Sequence, residues 1–176
     1  MHILIIILAV IAGFIALLLL VAAFMMKEHH VKREIIFNAS SLKVFDYVKF
    51  IKNQDQFNEG AMADQDRKKV FNGTDGTVGF IYSWSGNKDA GEGEKEIMKI
   101  NEGKSIEMEI RFLKPLKTSA RILIETQALT DNQTKVSWSN TGTLSYPLNI
   151  MIPMVQKHMV KDLDTSLVTL KNILEK

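Results

Sequence analysis

Ser105-Ile106-Glu107-Met108-Glu109-Ile110-Arg111-Phe112-Leu113 is the stretch on which the fold turns. Ile106, Met108, Ile110 and Phe112 fall on one face of a strand, and Glu107, Glu109 and Arg111 on the other. A strand divided in this way belongs to a sheet with one apolar face that something else must cover. Similar strands lie on both sides. Before it, Phe80, Tyr82 and Trp84 alternate with polar neighbours, and Gly93–Ile100 leads into the tight turn Asn101-Glu102-Gly103. After it, Lys117–Leu129 and Thr134–Leu144 form a hairpin around Asp131-Asn132-Gln133. Short turns between consecutive strands make their neighbours antiparallel.

Further out, Val31–Asn38 reads as a first strand, and Ser40-Ser41 caps a helix carrying Leu42, Phe45 and Val48. Lys49–Asn58 is a second short helix or irregular segment, and the strand pattern resumes at Arg67. The turn pairs Asn72-Gly73 and Asp75-Gly76 follow, and Ser85–Gly91 makes a further turn. From Tyr146 to the C-terminus the period changes again. Ile152, Val155, Met159, Leu163, Leu167, Leu170 and Leu174 recur at spacings of three and four, an apolar stripe on one long helix. That helix is the natural cover for the sheet, which predicts an α+β fold with six or seven antiparallel strands curved around it.

The N-terminal end is of another kind. Every Lys, Arg, Asp and Glu of the 176-residue chain lies after Met26, and only His2 and Gly13 interrupt the apolar run before it. Residues 3–26 would span roughly 36 Å as a helix, enough to cross a hydrocarbon core of about 30 Å. No basic residue precedes the run, and Phe24-Met25-Met26 is a poor cleavage context, so the reading is an uncleaved anchor rather than a signal peptide. Residues 1–26 are thus expected to be a transmembrane anchor, 27–30 a short membrane-proximal linker, and 31–176 a folded domain. Lys27, Lys32 and Arg33 after the span favour a single-pass protein whose domain faces the cytoplasm.

Over residues 31–176 the chain resembles the START-like superfamily, in its polyketide cyclase/dehydrase-like (SRPBCC) branch. Ile35-Ile36-Phe37-Asn38-Ala39-Ser40 with Lys43-Val44-Phe45-Asp46-Tyr47-Val48 is similar to that family's first strand and helix. Tyr82-Ser83-Trp84-Ser85-Gly86-Asn87, Gly91-Glu92-Gly93-Glu94 and Glu109-Ile110-Arg111-Phe112-Leu113-Lys114-Pro115 resemble its middle strands. Thr134-Lys135-Val136-Ser137-Trp138 resembles its penultimate hairpin, and Leu163–Leu174 its closing helix. The chain departs from the family at Ser40-Ser41-Leu42, where a proline pair and a glutamate are common, and at Phe57, where tryptophan is common. The resemblance implies a helix-grip fold with a hydrophobic cavity between sheet and helix, and it implies no metal or nucleotide cofactor.

The candidate cavity wall is Phe80, Tyr82, Trp84, Met108, Phe112 and Trp138 from the sheet, with Met151, Met154 and His158 from the last helix. Ordinary core packing would use the same residues. Glu92, Glu94 and Glu96 stand at period two beside Glu107 and Glu109 on the neighbouring strand, close enough to meet Arg111 across the ladder. Either this row is solvated, or Glu109 and Arg111 turn into the cavity as polar groups; the apolar row is the cheaper one to bury.

No nucleophile elbow, P-loop or dinucleotide fingerprint is present, so no catalytic residue is nominated. His2, His29, His30 and His158 lack the spacing of a metal site, and there is no cysteine to complete one. A net charge of +2 without a basic run longer than Arg67-Lys68-Lys69 gives no footprint for nucleic acid. The expected partners are a lipid bilayer, through residues 3–26, and a hydrophobic small molecule or lipid. The sequence-level function is a membrane-anchored binding module. Its alternatives are a cyclase/dehydrase-type enzyme and a tethered protein-interaction or stress-response module without ligand.

Overall fold

The computed structural model describes residues 2–62, 64–88 and 90–176. Met1, at the head of the apolar run, and Asp89, within the Ser85–Gly91 turn, lie outside the described residues. The chain runs α1 (His2–Phe24), β1 (Glu28–Phe37), α2 (Ser41–Val48), a 3-10 turn (Ile51–Gln56), α3 (Glu59–Met62), β2 (Lys68–Asn72) and β3 (Ile81–Ser85). Then follow β4 (Glu92–Asn101), β5 (Ser105–Lys114), β6 (Thr118–Thr130), β7 (Gln133–Thr143), a second 3-10 turn (Leu148–Met151) and α4 (Ile152–Leu174). The strands form one seven-stranded sheet in the order β1-β7-β6-β5-β4-β3-β2, with every neighbouring pair antiparallel. Five of the six pairings are local hairpins; the sixth joins the first strand to the last.

That long-range ladder pairs Glu28 with Thr143 and Phe37 with Thr134. It draws β1 out to Glu28, three residues before the strand pattern alone indicates. His29 and His30 are therefore strand residues, and His30 Nδ1 lies 2.7 Å from Thr141 Oγ1. Only Met25–Lys27 separate α1 from β1.

α4 lies across the concave face with Leu163, Leu167, Leu170 and Leu174 buried along the predicted stripe. They pack in one core with Phe37, Val44, Ile97, Ile124 and Trp138. Polar contacts fix the helix at both ends. At its C-terminus Lys43 Nζ donates to the Leu174 carbonyl at 2.6 Å, satisfying one of the last unpaired carbonyls, and the Glu175 carboxylate accepts from Asn38 N at 2.5 Å. Pro153 in its first turn suits a helix start, where a missing N–H costs nothing.

Just before α4, Asn149 is fully buried, and its Nδ2 donates to the carbonyls of Ala22 at 2.6 Å and Met25 at 3.1 Å. Leu144 N adds a bond to the Lys27 carbonyl at 2.8 Å. The last turn of α1 is thus clasped to the domain. α1 is otherwise exposed, and it is long and apolar enough to cross a membrane by length and composition.

Gly93 on β4 permits the close approach of Trp84. A Cβ at residue 93 would stand 2.6 Å from the Trp84 ring and 2.6 Å from the Arg111 carbonyl, with backbone on one side and a packed ring on the other. Gly93→Ala is expected to destabilise the fold by about 1–3 kcal/mol through overpacking. Denaturant unfolding of the full chain in detergent, followed by tryptophan fluorescence, checks this; an unchanged midpoint would contradict the packing described.

Candidate ligand cavity

β-strand alternation sends Gly93, Lys95 and Ile97 of β4 to the same inner face as Tyr82 and Trp84 of β3 and Ile110 and Phe112 of β5. Between this face and the middle of α4 lies a cavity of about 480 Å³. Its apolar wall includes Trp84, Ile110, Phe112, Ile122, Trp138 and Met159. Asn58–Ala61 and Arg67 close one side, and Asp162, Leu163 and Ser166 contribute from α4. A larger depression of about 900 Å³ lies elsewhere and is lined mainly by polar residues such as Lys32, Glu34, Glu125 and Lys135. Its polar, open walls suit solvent, so the smaller, mixed cavity is the candidate site.

The interior of that cavity is not wholly apolar. Arg67, only 8% exposed, donates from Nη2 to Tyr82 Oη at 2.6 Å and to Asp55 Oδ1 at 3.2 Å. Tyr82 Oη donates in turn to Asp55 Oδ1 at 3.1 Å, and Lys69 Nζ reaches the other Asp55 oxygen at 2.7 Å. The Arg67 guanidinium lies over the rings of Tyr82 and Trp84, 5.3 and 5.5 Å from their centroids. Beside it, Lys95 is 5% exposed and donates to Gln54 Oε1 at 2.7 Å. Gln54 is fixed by a contact of 3.4 Å from its Nε2 to Met108 Sδ.

These surroundings shift two protons. Burial pushes the Tyr82 hydroxyl up to about 12, with the Arg67 charge acting against the shift and Asp55 reinforcing it. Burial, followed by the neighbouring Arg67 charge, lowers the Lys95 amine to about 8, with Asp55 pulling the other way.

The residues nominated from sequence separate into four groups. Tyr82, Trp84, Phe112 and Trp138 line the cavity together. Phe80 and Met108 are buried in the adjoining core and do not line it. Met151, Met154 and His158 lie exposed on the second 3-10 turn and the first turns of α4, and Met159 lines the cavity instead, because one residue rotates a helical side chain by about 100°. Glu109 and Arg111 are on the opposite face of β5 from the cavity. There Arg111 bonds Glu94 at 2.6 Å, Glu96 at 2.5 Å, and Glu109. The reading that turned them into the cavity is corrected by alternation, since Ile110 and Phe112 take the inner positions.

Lys95 and Arg67 were missed. Lys95 sits between Glu94 and Glu96 and reads as one more solvated charge, yet it shares its parity with Gly93 and Ile97. That parity was the available signal. Arg67 carried none, since its burial comes from Asp55 and two aromatic rings distant in sequence.

A curved antiparallel sheet closed over a long C-terminal helix, with space between them, is the helix-grip fold. Solved structures share it. Norcoclaurine synthase from Thalictrum flavum, in complex with dopamine and hydroxybenzaldehyde, matches with a TM-score of 0.63 at 12% identity, over 88% of this chain and 90% of that one. The Aha1 dimer from Colwellia psychrerythraea matches with a TM-score of 0.58 at 16% identity, over 84% and 96%. Ara h 8.0201 matches with a TM-score of 0.58 at 16% identity, over 84% and 97%. At these identities the likeness is one of fold. No protein-family model matches the chain, and no curated protein matches it in sequence.

The Lys95 shift has a consequence for stability. The folded chain holds this proton less tightly than the unfolded chain, so the cost of burying the ammonium is fully present below about pH 8. Stability is expected to rise with pH from about 8 towards 10, by on the order of 2–3 kcal/mol at 1.36 kcal/mol per unit. The Tyr82 contribution has the opposite sign and begins only above pH 10, because its folded value is raised to about 12. Denaturant midpoints measured at steps of pH should show the rise in the parent chain and lose it in Lys95→Met; an equal slope in both would remove Lys95 as its source.

Proposed function

We propose that the chain is a membrane-anchored, non-catalytic binding module that holds a hydrophobic small molecule or lipid between its sheet and α4. The cavity of about 480 Å³ carries this reading. It falls within the range of about 300–1,000 Å³ common for small-molecule sites and has the usual composition, aromatic walls with a few convergent polar groups. The norcoclaurine synthase of the same fold binds small aromatic molecules, which supports the same class of guest here. A space of this size also weighs against the interaction-module reading, which requires the cavity to be filled by its own side chains.

A cyclase/dehydrase-type enzyme is the second reading, favoured by the convergence of Arg67, Tyr82 and Lys95 in the cavity region. Binding ranks ahead because the Tyr82 hydroxyl is engaged by both Arg67 and Asp55, and a phenol held near 12 is a weak acid at neutral pH. In this proposal α1 is a single transmembrane span, and Lys27, Lys32 and Arg33 keep the domain on the cytoplasmic side.

The chain with its apolar helix, held in nanodiscs and examined by native mass spectrometry, should retain a bound apolar molecule, and an apolar fluorescent probe should compete with it. Ile110→Trp, which fills the cavity from a half-buried position, is expected to weaken probe binding at least tenfold with little change in melting temperature. Probe affinity independent of this substitution would defeat the proposal. For topology, the absence of native cysteine makes Lys176→Cys a clean reporter. An impermeant maleimide should label it only after the cells are permeabilised, and labelling of intact cells would reverse the orientation.

A further inference from the structure

Among the described residues, the buried polar groups of this cavity wall that lack a partner are mostly donors. Lys95 carries three N–H donors, and the hydrogen bond of its ammonium to Gln54 uses one of them. The Arg67 Nε–H and the Trp138 Nε1–H are buried without a partner among the described residues. Against them stands one acceptor in the same condition, Asn140 Oδ1. The wall as a whole carries two acids, Glu59 and Asp162, and two bases, Arg67 and Lys95, but the bonds among the charged groups are unevenly shared. Among the described residues Asp55 is the one carboxylate bonded to this cluster, and Arg67 and Lys69 both bond to it. Lys95 has a neutral partner. Glu59 and Asp162 also line the cavity, half-buried on α3 and α4, and neither forms an ion pair with Arg67 or Lys95.

A neutral guest would leave these donors desolvated and unpaired, the costly case for buried polar groups. An acceptor-rich anion would satisfy them, with charge-assisted hydrogen bonds that are stronger than neutral ones. Trp84, Phe112 and Trp138 offer an apolar surface alongside. We propose that the guest is an amphiphile with an anionic head, a carboxylate, sulfonate or phosphate, seated against Lys95 and the Nε edge of Arg67, with its apolar body on Trp84, Phe112 and Trp138. This rests on the cavity reading above and adds the charge of the ligand to it.

The test compares two dyes of nearly the same body, anionic 1-anilinonaphthalene-8-sulfonate and neutral N-phenyl-1-naphthylamine, on the full chain in phosphatidylcholine nanodiscs, with empty nanodiscs as the blank. The anionic dye is expected to bind at least tenfold tighter. Lys95→Met should remove that preference while changing the affinity for the neutral dye less than twofold, and Lys95→Arg should restore part of it. Should Lys95→Met not fold, the parent chain serves: its affinity for the anionic dye should fall as pH rises through about 8, where Lys95 loses its proton, and its affinity for the neutral dye should stay level. Dodecanoate and lysophosphatidate as competitors then distinguish a free carboxylic acid from a membrane phospholipid as the source of the head group. Equal affinities for the two dyes, or a loss in Lys95→Met shared by both, would overturn the anionic assignment and leave the cavity reading standing. Binding of neither dye would overturn both.

Discussion

The ten-residue ladder between β1 and β7 is the constraint on which the rest of the architecture depends. Every other strand pairing is a local hairpin that forms at small entropic cost, whereas this one closes a loop of about a hundred residues. Its reward is that both chain ends arrive at one edge of the sheet. α1 enters directly before β1, and α4 leaves directly after β7, so the two helices meet at the second 3-10 turn. From there α4 can lie back only along the concave face. The position of α4 in turn sets the depth of the cavity, since its middle turns stand over the inner rows of β3–β6.

Inside that frame the cavity is shaped by the expense of burying charge. Most of the sheet obeys the cheap solution, with apolar rows inward and the Glu94, Glu96, Glu109 and Arg111 cluster outward. One strand departs from it. β4 turns Lys95 inward among aromatic side chains, and the loop before β2 adds Arg67. Neither contributes to packing as well as an aliphatic residue would, and Lys95 carries a desolvation penalty visible in its lowered proton affinity. Polar groups retained against stability in a concave site are a physical mark of function, and here they set apart one wall of an otherwise ordinary core.

Much of the fold was legible in the sequence because it is written in periods. The two-residue alternation from Ser105 to Leu113 and the stripe from Ile152 to Leu174 both report burial directly. The start of β1 was legible only in part, because Glu28-His29-His30 has no strand pattern and is recruited by Thr141–Thr143 of β7. Of the cavity wall, the aromatic residues were readable as inward, but core and cavity share that face, and only tertiary spacing separates Phe80 from Tyr82. On α4 the helical phase, which the residue types do not show, turns Met151, Met154 and His158 to solvent and Met159 to the cavity. The charged residues were the least readable. A lysine flanked by glutamates looks solvated whichever way the strand faces, and the surroundings of Arg67 come from Asp55, Tyr82 and Trp84 across the fold.

Asn149 has a mechanical consequence. A long apolar helix joined to a domain by a flexible tether lets the two turn independently, and the site then samples every direction relative to that helix. Here the carbonyls of Ala22 and Met25 are held by a buried amide, and only three residues separate the helix from the sheet. Such a joint behaves as a bracket rather than a leash. Any tilt or rotation of α1 about its axis is passed directly to the sheet, so the aim of the cavity mouth is a property of the helix as much as of the domain.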